Sequence, residues 1–300
     1  MELSIWTNIS RWWVSLSSGE RGDYKKKALF SRLTYLWVII VGAFFWPIMD
    51  LVIGPESYTF RSPLKPTLRD NYVYMLVYSP HRYLVFYILM MCSSFMSLIN
   101  IGGMLMRLMA WLSFIVIASS TNLIFNAGMQ VASLWLFFLI FVFPMKKTDW
   151  KVLFSRISFI GIQVQFLIAY FFAGIYKLRV EDWRNGVSIH LLSFLDHYTP
   201  EWLAGILQSS MILSGILNYV ILIYLVAFPF LVWIKRIKIP FLMIGIVFHL
   251  YTAFIMKLYD FGSIMLIGYV LFLSEEHINW LLEKLDKIPL LRWIGVRIKT

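Results

Sequence analysis

A chain of 300 residues that is 60% hydrophobic and 18% aromatic but only 14% charged is excluded from the water-soluble globules of ordinary composition. Several of its apolar runs reach the length of a bilayer span, so it reads as a multi-span membrane protein. In such a protein the net charge of +11 is explained first by orientation and contact with anionic lipid, not by nucleic acid. The single cysteine, Cys92, lies inside an apolar run and excludes both an intrachain disulfide and a cysteine-based metal site.

In chain order, residues 1–18 place Ile5, Trp6, Ile9, Trp12, Trp13 and Leu16 at helical spacing, which predicts an amphipathic helix lying in the membrane interface. Without a basic start or an uninterrupted apolar core, this stretch does not read as a cleaved signal peptide. Arg21 and Lys25 to Lys27 precede a first span over 33–53, with a kink expected at Pro47. Residues 54–82, rich in proline and charge, form the first long connection. A second span over 83–101 ends at the hinge Gly102-Gly103 and Arg107, and a third takes 108–125. Asn122, Asn126, Gly128 and Gln130 make the tight turn into a fourth over 131–143, closed by Pro144, Lys146, Lys147 and Lys151.

The fifth span, 153–176, carries Gln163 and Gln165 and delivers Lys177 at its end. After a second long connection over 177–203, the sixth span runs over 206–233 with Asn218 near its middle. Lys235, Arg236 and Lys238 close it, the seventh (240–256) centres on His249, and the eighth (261–273) is short. From Glu275 the tail is again amphipathic, Trp280, Leu281, Leu285 and Ile288 alternating with Lys284 and Lys287. No internal repeat or low-complexity segment interrupts the chain. The expected fold is therefore all-α: a polytopic integral membrane helical bundle of about eight transmembrane helices, with amphipathic interfacial helices at both ends. Eight spans put both termini on one side, which holds 19 of the 27 Lys and Arg; the opposite side holds 8, while the 16 acidic residues divide evenly. That asymmetry predicts cytoplasmic termini and turns Lys177 outward.

Lys177 is the leading candidate for chemistry, although a lysine at the end of a span also snorkels to the headgroups without further role. Tyr170, Phe171 and Phe172, just beneath it, are expected to supply an apolar pocket. A histidine in mid-membrane needs a hydrogen-bond partner, and Thr252 and Asn218 are the candidates offered to His249; an interhelical bond that only fixes packing is the bland alternative. Asp182 reads as a partner for a base or backbone amide, Trp183 as an interface anchor and Gly186 as a turn. His190 and His197, seven apart, make a poor metal spacing, so no metal site is expected.

The stretch Tyr170-Phe171-Phe172-Ala173-Gly174-Ile175-Tyr176-Lys177-Leu178, followed by Asp182-Trp183-Arg184-Asn185-Gly186, resembles the HTTM (horizontally transferred transmembrane) domain, the membrane module of vitamin K-dependent gamma-glutamyl carboxylases and their bacterial relatives. The resemblance extends over about residues 27–276, with Phe248-His249 as its second point of match. It divides the chain into an amphipathic segment (1–27), an HTTM-like transmembrane domain (28–276) and an amphipathic basic tail (277–300). It implies a vitamin K-like quinone or lipid as cofactor and Lys177 as the base that starts hydroquinone oxidation, with His249 in the same pocket. That chemistry needs a neutral amine, the form that burial in apolar surroundings favours. Tyr176, Asn218, Thr252, Asn122 and Trp183 are the expected pocket residues.

Two departures weigh against a full carboxylase. The carboxylases carry a histidine in the outer turn before the fourth span, where 121–128 here has none. They also add a large extracytoplasmic portion, where 24 residues follow Glu276 here. Two functions compete: a lipid- or quinone-dependent membrane enzyme, and a non-catalytic membrane protein that binds a lipid or peptide on the outer side, as in bacterial HTTM proteins serving antimicrobial-peptide maturation. A transporter is the weaker third, for want of an inverted repeat and intramembrane charges.

Overall fold

The computed structural model of the chain describes residues 21–49, 82–120, 126–143 and 149–288. The expected N-terminal amphipathic helix, nearly all of the first long connection and Asn122 lie outside the described residues. Among the described residues, four helices are long and apolar enough to cross a membrane: Tyr24–Ile48, Trp150–Arg179, Met211–Leu231 and Lys235–Ile255. Four shorter apolar helices accompany them among the described residues: Tyr83–Leu98, Gly103–Ser119, Ala127–Leu139 and Tyr259–Phe272. The chain divides into two compact units, Met1–Ile162 with Leu273–Thr300, and Gln163–Phe272.

The first unit contains α1 (Arg21–Phe45), α2 (Arg82–Leu98), α3 (Gly103–Ser120), α4 (Ala127–Leu139) and the beginning of α5 (Asp149–Arg179). Pro47 ends α1 in a short 3-10 turn, Trp46–Ile48, because its ring cannot continue the helix. Asn100 and Gly102 adopt left-handed backbone (φ 61° and 78°), which folds α3 back along α2. Asn126 caps α4, its side chain accepting from the backbone N–H groups of Gly128 and Met129. At the other end of α4, buried Arg107 donates to the carbonyls of Leu139 and Val142 and to Asn100 Oδ1, satisfying backbone groups the helix leaves open. The core of this unit forms where Phe30 meets Trp135 and Phe159 edge to face, ring centroids 4.9 and 5.8 Å apart.

The tail carries a helix with one buried face. Ile278 and Leu282, four apart, are fully buried, and Lys25 Nζ donates to Asn279 Oδ1 at 2.8 Å, whereas Trp280 is 59% exposed.

In the second unit follow α6 (Glu181–Arg184), α7 (Ser188–Leu192), α8 (Glu201–Ser209), α9 (Met211–Leu231), α10 (Lys235–Leu250) and α11 (Tyr259–Gly268); α12 (Glu275–Asp286) is the tail helix of the first unit. The sixth apolar stretch, expected as one span over 206–233, is broken. Ser210 is extended (φ −138°, ψ 97°) and caps α9 by accepting from Leu213 N, which separates α8 from α9. Beyond α10 the helix widens into a π turn over Tyr251–Ile255, then reverses at Lys257, whose φ is 58°. Gln163 Nε2 donates to Leu271 O at 2.9 Å, tying α5 to the 3-10 turn after α11. Phe166, Tyr170, Phe228 and Tyr269 fill the centre of the unit, Tyr170 stacked on Phe228 at 4.3 Å.

Candidate functional site

α5 has 31 residues and so extends about 46 Å at 1.5 Å per residue, against a hydrocarbon core about 30 Å thick. Lys177 and Arg179 lie in its last turn. Val180, extended at φ −86° and ψ 128°, stops the helix and starts α6, which brings Trp183 back beneath Lys177. Lys177 Nζ lies 5.1 Å from the centre of the Trp183 ring, a cation–π contact. The Trp183 carbonyl in turn accepts from Asn218 Nδ2 on α9 at 2.9 Å. Next to it, Tyr219 Oη donates to Arg184 O at 2.8 Å. Gly186 completes this turn with φ +77°, and a Cβ there would meet the Tyr219 ring at 2.9 Å, so a side chain is refused twice over.

This geometry corrects two readings of the sequence. The aromatic surface under Lys177 is Trp183, not the cluster Tyr170, Phe171 and Phe172. Helical periodicity turns Phe171 and Phe172 to other faces, where they meet Phe230 and Tyr176, and Tyr170 lies two turns deeper. Tyr176, expected in the pocket, is 59% exposed and stands beside Phe172 and Arg179. Asn218 is fully buried, and its Oδ1 has no partner among the described residues.

The second polar group surrounds His249, which is 1% exposed. Its Nε2 lies 2.5 Å from Tyr170 Oη, which is itself 2.6 Å from Tyr269 Oη; Tyr224 Oη follows 3.2 Å beyond. The Phe248 and Phe261 rings pack on the imidazole with centroids 4.9 and 5.8 Å away. Two glycines make room for this row. A Cβ at Gly245 would sit 2.0 Å from Tyr269 Oη and 2.1 Å from Tyr224 Oη, and one at Gly262 would sit 2.7 Å from the His249 carbonyl.

Neither partner expected for His249 touches it through a hydrogen bond. Thr252 Oγ1 donates to Phe248 O at 2.9 Å, because a threonine in a helix readily bonds the carbonyl one turn back. Asn218 is held by Trp183. The structure thus gathers the expected residues into two groups, Lys177 with Trp183 and Asn218, and His249 with tyrosines. Sequence reading passed over Tyr224 and Tyr269 and took Tyr170 only as an apolar wall. The available signal was a phenol inside each of three apolar stretches, since a buried hydroxyl in lipid requires a partner. His190 Nδ1 lies 3.2 Å from Leu207 O, and His197 is exposed. Among the described residues no group of three or more His, Cys, Asp or Glu is placed to hold a metal ion.

Both polar groups fall within residues 146–280, the segment that matches the family model described as HTTM domain. The matched segment is shorter than the 27–276 over which the resemblance was expected, and leaves α1 to α4 outside. No curated protein and no solved structure matches the chain.

Proposed function

Starting from the HTTM domain at residues 146–280, we propose that this membrane protein is an enzyme working with a lipid-soluble ligand, a vitamin K-like quinone or a lipid, held at Lys177. The observation that carries the reading is the pairing of the two polar groups on one helix. Lys177 and Tyr170 are seven residues apart on α5, two turns and about 10 Å along one face. An amine able to give or take a proton therefore stands above a phenol bonded to an imidazole. Lys177 is the base in this reading, Trp183 and Asn218 position it, and His249 exchanges protons through Tyr170. Eight spans with both termini in the cytoplasm, supported by the 19-to-8 division of Lys and Arg, turn Lys177 to the outer side.

The second reading is a non-catalytic membrane protein that binds a lipid or a peptide on that side, such as an accessory of antimicrobial-peptide maturation. Its specific support is the Trp183 ring, whose face favours the ammonium over the neutral amine a base requires. One pair of measurements separates the two. Native mass spectrometry of the purified protein is expected to show a copurified quinone or lipid that Lys177→Gln loses. Lys177→Arg keeps the charge but cannot give up its proton, so it is expected to abolish the function scored by the deletion phenotype. Full activity in well-folded Lys177→Arg protein rejects the base and leaves the binding protein.

A further inference from the structure

The hydrogen-bonded row that ends on His249 has a direction. Each of Tyr170, Tyr224 and Tyr269 has one hydroxyl proton to give, and three contacts join the three hydroxyls to the His249 Nε2. If Nε2 accepts, a single order fills all three contacts, with every hydroxyl proton pointing toward the imidazole; every other order that fills them needs the imidazole proton on Nε2, donated to Tyr170. A phenol O–H is a much stronger acid than the N–H of a neutral imidazole, and an imidazole nitrogen is a much better acceptor than a phenol oxygen. Tyr170 therefore donates to Nε2, Tyr269 donates to Tyr170, and Tyr224 donates to Tyr269. The missing side chain of Gly245 is what admits the last two hydroxyls, so the backbone of α10 is shaped around the row it feeds.

In that order His249 carries its own proton on Nδ1. This nitrogen is buried and has no hydrogen-bond partner among the described residues. A buried N–H without an acceptor is costly, and such groups are rare unless something not yet named completes them. We infer that the row Tyr224–Tyr269–Tyr170 sets His249 as an Nδ1–H donor, and that this N–H takes the carbonyl oxygen of a neutral lipid-soluble ligand. The inference rests on the reading of the domain as one that holds such a ligand, and adds the contacting atom and its chemistry. A carboxylate is disfavoured because the rings of Phe248 and Phe261 offer it no counter-charge. A hydroxyl offered as donor would meet an N–H that cannot accept. An oxygen with lone pairs and no proton fits, and both a quinone ring and an acyl ester supply one.

The test uses the full chain labelled with ¹⁵N-histidine in nanodiscs of an ether-linked phosphatidylcholine, which has no ester carbonyl. The His249 signals are assigned by their loss in His249→Gln. Wild-type protein is expected to show a protonated Nδ1 and an unprotonated Nε2, and Tyr170→Phe is expected to mix the two tautomers. Adding either 2-methyl-1,4-naphthoquinone or dioleoylphosphatidylglycerol, each ¹³C-labelled at its carbonyls, is expected to move the Nδ1–H proton downfield together with the carbonyl signal. A response to the first alone assigns the quinone ring, and to the second alone the ester. An Nε2-protonated wild type overturns the inference, and so does an Nδ1–H resonance that neither probe moves. Lys177→Gln is expected to leave the tautomer unchanged, so failure of the Lys177 reading is seen separately in the deletion phenotype.

Discussion

Gly245→Ala is the smallest change that strikes the row of tyrosines without touching it chemically. The added methyl group would stand 2.0 Å from Tyr269 Oη, 2.1 Å from Tyr224 Oη and 2.4 Å from Tyr269 Cζ. Ordinary carbon contacts begin near 3.5 Å, so both hydroxyls have to retreat by more than 1 Å, and removing one by Tyr269→Phe leaves the Cζ clash in place. Overpacking a buried site costs about 1–3 kcal/mol. Retreat also breaks the bonds between Tyr224 and Tyr269 and between Tyr269 and Tyr170, each worth about 0.6–1.7 kcal/mol inside a membrane bundle. Alanine returns about 1 kcal/mol through its helix propensity. The balance is a loss of about 1–5 kcal/mol, read as a lower midpoint of thermal or denaturant unfolding in detergent. Gly205→Ala, where an added Cβ meets nothing within 4 Å, is the control and is expected to be neutral or slightly stabilising. Equal midpoints for the two variants would refute the packing argument.

Asn126→Ala removes both side-chain bonds that cap α4 and is expected to cost about 1 kcal/mol, with Asn126→Asp restoring most of it in the same unfolding assay. For orientation, single cysteines introduced as Phe60→Cys or His190→Cys in a Cys92→Ser background are expected to react with an impermeant maleimide on intact cells. Labelling of Thr148→Cys instead would reverse the assignment.

The positions of the helices were legible because span length and apolarity are local properties. The stretch expected over 153–176 is found inside α5, and Asn126 acts at the turn where polar residues had marked one. The break at Ser210 was less visible, since Gln208, Ser209 and Ser210 interrupt an otherwise continuous apolar run by only three residues. The π turn after His249 gave no local sign at all, because Tyr251 to Ile255 are ordinary helix residues whose extra width follows from what they pack against. For the site, the sequence named His249 and Asn218 as polar groups inside apolar stretches but not their partners. A polar atom in hydrocarbon declares that it must be bonded; it does not say to what. The bonds from Tyr170 to His249 and Tyr269 span 79 and 99 positions, and from Asn218 to Trp183 35, beyond the reach of any periodicity.

What joins the two polar groups is the pair α5 and α9, since each helix gives one residue to each group. α5 supplies Lys177 and Tyr170, and α9 supplies Asn218 and Tyr224, six residues apart. These helices approach closely at Gly174, which lies between Tyr170 and Lys177. A Cβ there would lie 2.6 Å from the Val226 side chain and 3.2 Å from the Val226 backbone nitrogen. The glycine of the Ala-Gly-x-x-Lys pattern therefore has a packing reason: only without a side chain does α9 come near enough to place both of its polar residues.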